Sequence, residues 1–211
     1  MYDIAVITGA SSGIGKALYT SLSYMGFKEV VGVSRRGPDI ALDLSEQIPL
    51  GMSFVRPNQQ VDLLINCAGI MPLTEHGKEF EIMQVNFFAT YQMIETLLPT
   101  FSKGSCIINI ASISGMLADA YLPIYAASKA AVISLTRSYA KRLAPKTRVN
   151  CISPGFYQSN LVPGKTPSNL IDTIPLGYEE HPKNLTSLVQ MIYETKYITG
   201  SNIVIDGGVS L

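Results

Sequence analysis

The stretch Thr8-Gly9-Ala10-Ser11-Ser12-Gly13-Ile14-Gly15 follows directly behind the apolar run Ile4-Ala5-Val6-Ile7. The apolar run predicts a buried strand and the pattern after Gly13 predicts a helix, so the glycines form a strand-to-helix turn. Such a turn lets the backbone approach a pyrophosphate, although glycine also serves turns for steric reasons alone. The spacing differs from Gly-x-Gly-x-x-Gly, but the location favours a phosphate site. Its expected residues are Gly9, Ser11, Ser12, Gly13, Ile14 and Gly15.

Short apolar runs alternate with helical patterns along the rest of the chain. This alternation predicts an α/β fold with a doubly wound parallel sheet (a Rossmann fold), as a single domain over residues 1–211. The predicted strands are residues 4–8, 30–34, 63–66, 106–111, 149–153 and 203–205, and the predicted helices are 13–24, 77–98, 124–143 and 182–194.

Two segments break the alternation. Only residues 35–39 separate the second strand from a possible third at 40–42, too few for a full crossover helix. The third strand is therefore either a stub at the sheet edge or missing, and the connection over 45–61 has room for at most a short helix. Residues 156–181 lack periodicity, and loops of that length are typical of lids and binding segments.

Composition limits the classes of partner. Sixteen basic residues balance sixteen acidic ones, which argues against nucleic acid. No apolar stretch approaches the ~18 residues that span a membrane, and the first residues lack a secretory signal, so we expect a cytoplasmic protein. The cysteines and histidines lack the clustered spacing of metal ligands, so we expect no metal site. We expect the cysteines to be reduced and buried and the histidines to have ordinary surface or loop roles. These residues are Cys67, Cys106, Cys151, His76 and His181.

The end of the second predicted strand carries the sequence Ser34-Arg35-Arg36. Dinucleotide folds that bind the ribose 2'-hydroxyl place an acidic residue in this region. Guanidinium groups would instead bind a 2'-phosphate through charge-assisted hydrogen bonds. The sequence therefore favours NADP(H) over NAD(H). A solvated surface pair of arginines is the alternative.

Tyr125 and Lys129 lie four residues apart in Tyr125-Ala126-Ala127-Ser128-Lys129 and project from one face of a predicted helix. An adjacent ammonium favours the phenolate, so we expect Lys129 to lower the pKa of Tyr125 from its usual ~10. Such a tyrosine can serve as a general acid or base. The pair alone would also fit a chance arrangement on a helix.

With these motifs the chain resembles the short-chain dehydrogenase/reductase family, in its single-domain branch, from Thr8 to Gly208. The resemblance assigns catalytic roles to Asn86, Ser112, Tyr125 and Lys129. As further cofactor-binding residues it implies Asp43, Leu44, Asn66, Ala68, Gly69, Pro154, Gly155 and Ser159. The other expected cofactor-binding residues outside the glycine turn are Ser34, Arg35, Arg36, Tyr125 and Lys129. Departures lie in the short region after Arg36 and in Tyr178-Glu179-Glu180-His181, which replaces the usual polar residues of the lid.

The resemblance implies hydride transfer between a nicotinamide and a carbonyl or alcohol carbon. Tyr125 would exchange the proton, Ser112 would bind the substrate oxygen, Lys129 would hold the ribose, and Asn86 would anchor a water in a proton relay. The segment 156–181 offers apolar walls without an arginine cluster, so we expect a small uncharged carbonyl compound. The family further implies a homodimer or homotetramer formed through the two long helices.

Two alternatives remain beside this interpretation. A dinucleotide-binding sensor or scaffold without turnover would keep the fold but would not need the serine, tyrosine, lysine and asparagine set. An epimerase or dehydratase of the family's extended branch would need a further substrate domain, for which 211 residues leave no room.

Overall fold

The computed structural model describes residues 2–49, 51–158, 161 and 168–211. The strands are β1 (Tyr2–Thr8), β2 (Phe27–Ser34), β3 (Ile40–Ala41), β4 (Val61–Asn66), β5 (Phe101–Ile110), β6 (Thr147–Pro154) and β7 (Asn202–Ile205). The α-helices are α1 (Gly13–Leu22), α2 (Glu79–Met83), α3 (Ala89–Leu97), α4 (Pro123–Leu143), α5 (Ser168–Ile171) and α6 (Leu185–Glu194).

The strands form one parallel sheet in the order β3-β2-β1-β4-β5-β6-β7. Helices α3 and α4 cover one face, where Met93, Ile94 and Tyr139 lie in a core with β1, β4 and β5. Helices α1 and α6 cover the other face, where Leu18 and Val189 are buried. The predicted doubly wound parallel sheet is confirmed. Its strands are continuous apolar runs because both faces are buried.

The third strand is the predicted stub, since Ile40 and Ala41 pair with Val33 and Ser34 at the sheet edge. Asp39 adds a further bond to this short edge by accepting from the backbone N–H of Gly32 at 2.7 Å. The described residues of the following connection, 45–49 and 51–60, form turns without a helix.

Several boundaries differ from the prediction. The helix predicted over 77–98 consists of α2, a π-helical turn (Gln84–Phe88) and α3. A single inserted residue of this kind leaves the hydrophobic period almost unchanged, so the pattern conceals it. The segment 156–181, predicted to be irregular, contains α5 and a short bridge between Tyr157 and Glu180. No described helix is long and apolar enough to cross a lipid bilayer.

Candidate active site

The glycine turn joins β1 to α1 at the carboxyl edge of the sheet. Gly9 has a φ of +73°, which favours glycine, and its N–H donates to Val33 at 2.8 Å. A side chain on Gly15 would overlap the carbonyl oxygen of Gly9, so these two glycines allow α1 to begin against the turn. The hydroxyl of Thr8 accepts hydrogen bonds from Cys67 and Ala68, both at 3.0 Å, and fixes the end of β4 beside the turn.

The first turn of α1 suits a phosphate group. Ser12 precedes the helix in an extended conformation and makes no side-chain cap bond. The first amides of a helix lack partners inside the helix, so an uncapped start retains donors for an anion. Ser11 and Ser12 are exposed beside these amides, Gly13 and Ile14 are half-buried, and Gly15 is buried. The predicted phosphate residues therefore lie together.

The end of β2 contains a buried polar atom without a partner. The Ser34 hydroxyl oxygen is inaccessible and has no hydrogen-bond partner in the structure, whereas Arg35 and Arg36 are exposed beyond it. Asp43 accepts hydrogen bonds from the N–H and hydroxyl of Ser45, which lower its pKa, and the charge of Arg35 acts in the same direction. Serine, arginine and aspartate therefore surround one region, and the orphaned hydroxyl fits a ribose or phosphate oxygen.

Two of the other predicted cofactor residues use their side chains within the protein. Leu44 is buried in the core, so only its backbone could reach a cofactor. Asn66 is buried and donates to Asn109 at 2.9 Å, although its carbonyl oxygen has no partner.

Pro154 and Gly155 lie at the end of β6, on the same carboxyl edge of the sheet as the glycine turn. A side chain on Gly155 would stand 2.7 Å from the Cα of Asp206, so glycine allows the ends of β6 and β7 to converge. The N–H of Gly155 donates to Ile205 at 3.0 Å. Ser159 lies outside the described residues.

Tyr125 and Lys129 lie in the first turns of α4, and both side chains are buried. The Lys129 Nζ is 5.8 Å from the centre of the Tyr125 ring and donates to the carbonyl of Ile110 at 3.1 Å. Ser112 follows the end of β5, and its hydroxyl is hydrogen-bonded to the Tyr125 side chain and also accepts from Ser114 at 3.2 Å. The predicted serine, tyrosine and lysine are thus brought together.

Asn86 joins this cluster from the π-helical turn. Its Oδ1 accepts from the N–H of Ile70 at 2.8 Å, and its Nδ2 donates to the carbonyl of Ile70 and to Ser128, both at 3.0 Å. Gly69 faces Asn86 and Lys129, because a side chain there would stand 3.3 Å from Asn86 Oδ1 and from Lys129 Nζ. A π turn often marks a functional position, and here it carries the asparagine of the cluster.

The expected direction of the Tyr125 pKa is wrong for this structure. Burial raises the pKa of Tyr125 to about 12, the charge of Asp119 adds to the rise, and the hydrogen bond with Ser112 opposes it. Burial also lowers the pKa of Lys129. Sequence spacing predicted the neighbouring cation but not the loss of solvent around the phenol, which dominates here.

Sequence reasoning missed two residues that contact the cluster. Glu75, in the loop after β4, accepts hydrogen bonds from the backbone N–H groups of Ile124 and Tyr125 at the start of α4. Ser128 donates to the carbonyl of Tyr125 at 2.7 Å. The loop of Glu75 has no motif, but Ser128 could have been found because it lies three residues after the tyrosine on the same helix face. Among the described residues, no three histidine, cysteine or acidic side chains converge as metal ligands.

Comparison with known proteins finds relatives that match nearly the whole chain. Residues 52–210 match the family model described as Enoyl-(Acyl carrier protein) reductase. The chain is 30% identical over 234 aligned positions to carbonyl reductase family member 4 of Xenopus laevis, covering 100% of this chain and 99% of the relative. It is 29% identical over 237 positions to the 3-oxoacyl-acyl-carrier-protein reductase FabG of Thermotoga maritima, with 97% and 96% covered.

A solved structure of 4-hydroxyisoleucine dehydrogenase complexed with NADH superposes with a TM-score of 0.83. Its sequence is 28% identical, and the match covers 99% of this chain and 98% of that one. The sequence comparison and the structural comparison thus both give reductases and dehydrogenases as relatives.

Proposed function

The chain belongs to the short-chain dehydrogenase/reductase family of oxidoreductases, and on that premise we propose that it reduces a small carbonyl compound with NADPH. In this proposal one domain binds the dinucleotide and performs the chemistry, and the reverse alcohol oxidation uses the same residues. The observation that carries it is the cluster at the start of α4, where Ser112 interacts with the Tyr125 side chain and the Lys129 Nζ lies 5.8 Å from the centre of the Tyr125 ring.

The protonation state of Tyr125 fits the reductive direction. With a pKa raised to about 12, the phenol holds its proton throughout the neutral range. A carbonyl oxygen that gains electron density needs a proton donor at hydrogen-bond distance. Tyr125 is therefore the general acid of the proposed reaction, because it holds a proton before the carbonyl is reduced.

Three further residues, Ser112, Lys129 and Asn86, have separate roles in the proposed proton transfer. Ser112 donates a hydrogen bond to the substrate oxygen and stabilises the charge that develops on it. The ammonium of Lys129 stabilises the phenolate that forms when Tyr125 gives up its proton, and it would also hold the ribose hydroxyls of a bound cofactor. Asn86 fixes Ile70 and Ser128 around this pair and would anchor the relay water. A bound nicotinamide supplies the hydride, which is the chemistry of the cofactor rather than of the protein.

The preference for NADPH rests on the end of β2. Arg35 and Arg36 are exposed there, and the sequence Ser34-Arg35-Arg36 contains no acidic residue. The two arginines provide the positive charge that a 2'-phosphate requires, and Ser34 provides a hydroxyl without another partner. Asp43 would lie on the adenine side of a bound dinucleotide, where its carboxylate could accept a hydrogen bond from the base.

The substrate class is supported by the cleft beyond β6. Phe156 and Tyr157 line a small cleft of about 90 Å³ together with Leu176 and Tyr178. Glu180 and Asp206 are also in its wall, and such a lining disfavours anionic substrates. An uncharged carbonyl compound with an apolar body fits these walls.

We further propose that the chain forms a homodimer or homotetramer through α3 and α4. Phe80, Phe88 and Tyr91 are exposed along the run from α2 to α3, with Phe80 91% accessible. Aromatic side chains in this number are costly to leave in water and are typical of subunit contacts.

The test of the proposed function is a screen of aldehydes, ketones and diketones in which NADPH absorbance is followed, with NADH run in parallel. We expect turnover with at least one uncharged carbonyl compound and a higher kcat/KM for NADPH. Binding of NADPH without turnover of any member would instead favour a sensor or scaffold.

A further inference from the structure

Glu75 bonds the beginning of α4 from outside the helix. Its Oε1 accepts from the N–H of Tyr125 at 2.6 Å and its Oε2 accepts from the N–H of Ile124 at 3.0 Å. The side chain comes from the loop after β4, and the residue is only 9% accessible. A buried carboxylate thus bonds two backbone amides of the turn that carries the proposed general acid.

Both backbone polar groups of Tyr125 are bonded by side chains. The N–H donates to Glu75, and the carbonyl accepts from Ser128 at 2.7 Å. Ser128 itself accepts from Asn86 at 3.0 Å. The peptide groups on each side of Tyr125 are therefore tied to two elements outside α4, the loop of Glu75 and the π turn of Asn86.

The loop of Glu75 is itself fixed at its other end. Ile70 lies near the start of this loop, and Asn86 bonds both its N–H and its carbonyl. Asn86 and Glu75 therefore connect the end of β4, the π turn and the first turn of α4 into one network. A displacement of the loop would be transmitted to the Tyr125 backbone through Glu75.

We propose that Glu75 is a positioning residue for the reaction, which holds the Tyr125 phenol in register with Ser112 by bonding the first turn of α4. This inference rests on the proposed function of Tyr125. The carboxylate suits the task because charge-assisted hydrogen bonds are short and strong, and because negative charge is favoured at a helix N-terminus. Glutamine could accept only one of the two bonds, and alanine neither.

Misplacement of a reacting group by a fraction of an ångström is costly to turnover. Loss of Glu75 should therefore lower kcat while leaving the pockets for cofactor and substrate in place. No described hydrogen bond joins Glu75 to Lys129, to the glycine turn or to the end of β2, so we expect only a small change in cofactor affinity.

The test compares the full-length protein with Glu75→Ala, Glu75→Gln and the control Glu81→Gln, which removes the same charge from an exposed position on α2. The probes are NADPH and 2,3-butanedione. We measure kcat, KM, the NADPH dissociation constant by fluorescence, and amide hydrogen exchange at Ile124 and Tyr125.

We expect kcat to fall about tenfold in Glu75→Ala and less in Glu75→Gln, with KM and the NADPH dissociation constant within about twofold of the wild type. Exchange at the two amides should accelerate in the same order, and Glu81→Gln should change neither quantity. If Glu75→Ala does not fold, Glu75→Gln decides by the same criteria.

An unchanged kcat in a folded variant, or exchange at Ile124 and Tyr125 as slow as in the wild type, would overturn the inference. So would a loss that appears only in KM. Failure of the proposed function itself looks different: the wild type would not turn over the dione, or Tyr125→Phe would retain its rate, and the exchange data would still report on the two hydrogen bonds of Glu75.

Discussion

Asn86 bonds both backbone groups of Ile70, accepting from its N–H at 2.8 Å and donating to its carbonyl at 3.0 Å. This reciprocal pair of hydrogen bonds has the pattern of a bonded pair between two β-strands, but it joins the π-helical turn to the loop after β4. It requires a side chain that both accepts and donates, which among residues of this size only asparagine provides. The second hydrogen of the same amide bonds Ser128, beside the proposed catalytic tyrosine.

Replacing Asn86 by aspartate should therefore lower both stability and kcat, although the two side chains have nearly the same shape. An ionised carboxylate at this position cannot donate to the Ile70 carbonyl or to Ser128, and a buried carbonyl without its partner costs about 1–3 kcal/mol. We expect N86D and N86A to lower the free energy of unfolding by this amount and to reduce kcat. Gln60→Ala, at an exposed position, is the control and should change stability little. Wild-type stability in N86D would contradict the network.

The cofactor preference can be tested at Arg35. If its guanidinium binds a 2'-phosphate, Arg35→Ala should weaken NADPH binding by about 1.5–3 kcal/mol, the range for hydrogen bonds to charged groups, and leave NADH binding almost unchanged. Dissociation constants for both cofactors give the answer. Arg56→Ala removes an exposed arginine paired with Glu29 and serves as the control. Equal effects of Arg35→Ala on both cofactors would refute the assignment.

The proposed subunit contact depends on the exposed aromatic residues of α2, the π-helical turn and α3. Phe88→Glu places a charge among them, and we expect the sedimentation coefficient at micromolar concentration to fall to that of a smaller assembly. Tyr24→Glu, an equally drastic change at an exposed position after α1, should leave the assembly intact. A wild-type monomer at that concentration would exclude the contact.

Cys106 provides a pH-dependent prediction. Burial raises the pKa of this thiol to about 11, above its unfolded value of about 8.5. Because the folded state then holds the proton that the unfolded state releases, stability is complete below the unfolded pKa and falls as pH rises toward the folded one. The loss is about 1.4 kcal/mol per pH unit for one thiol.

In Cys106→Ala this contribution is absent. Denaturant titrations between pH ~9 and ~11 should therefore show a shallower decline in the free energy of unfolding than in the wild type, whatever the variant's stability at neutral pH. Parallel declines in the two proteins would mean that the thiol does not titrate as its burial indicates.

The fold was largely predictable because the patterns that define its strands and helices lie within short stretches of the sequence. Apolar runs bounded by glycine or proline identify the strands, and the five-residue spacing after Ser34 required a shortened edge, which Ile40 and Ala41 provide. The π turn at Gln84–Phe88 was not predictable, since it changes the hydrogen bonding of a helix but hardly its hydrophobic pattern.

The clustering of the candidate residues was predictable where they lie at fixed spacing, as for Tyr125 and Lys129 on one helix. Glu75 is 50 residues from Tyr125 in the chain, and no periodicity connects the two. The pKa of Tyr125 also depends on burial by many distant residues, so a rule based on one neighbouring lysine gave the wrong direction. Contacts of this kind follow from tertiary structure alone.

The central claim is that Tyr125 gives its proton to the substrate oxygen, and the most direct measurement is the turnover of Tyr125→Phe with NADPH and 2,3-butanedione. Tyr121→Phe, which changes an exposed tyrosine just before the same helix, is the matched control. We predict that kcat falls by about 10²–10⁴-fold in Tyr125→Phe while NADPH binding and the control are unchanged. Turnover of Tyr125→Phe close to the wild-type rate would contradict the account.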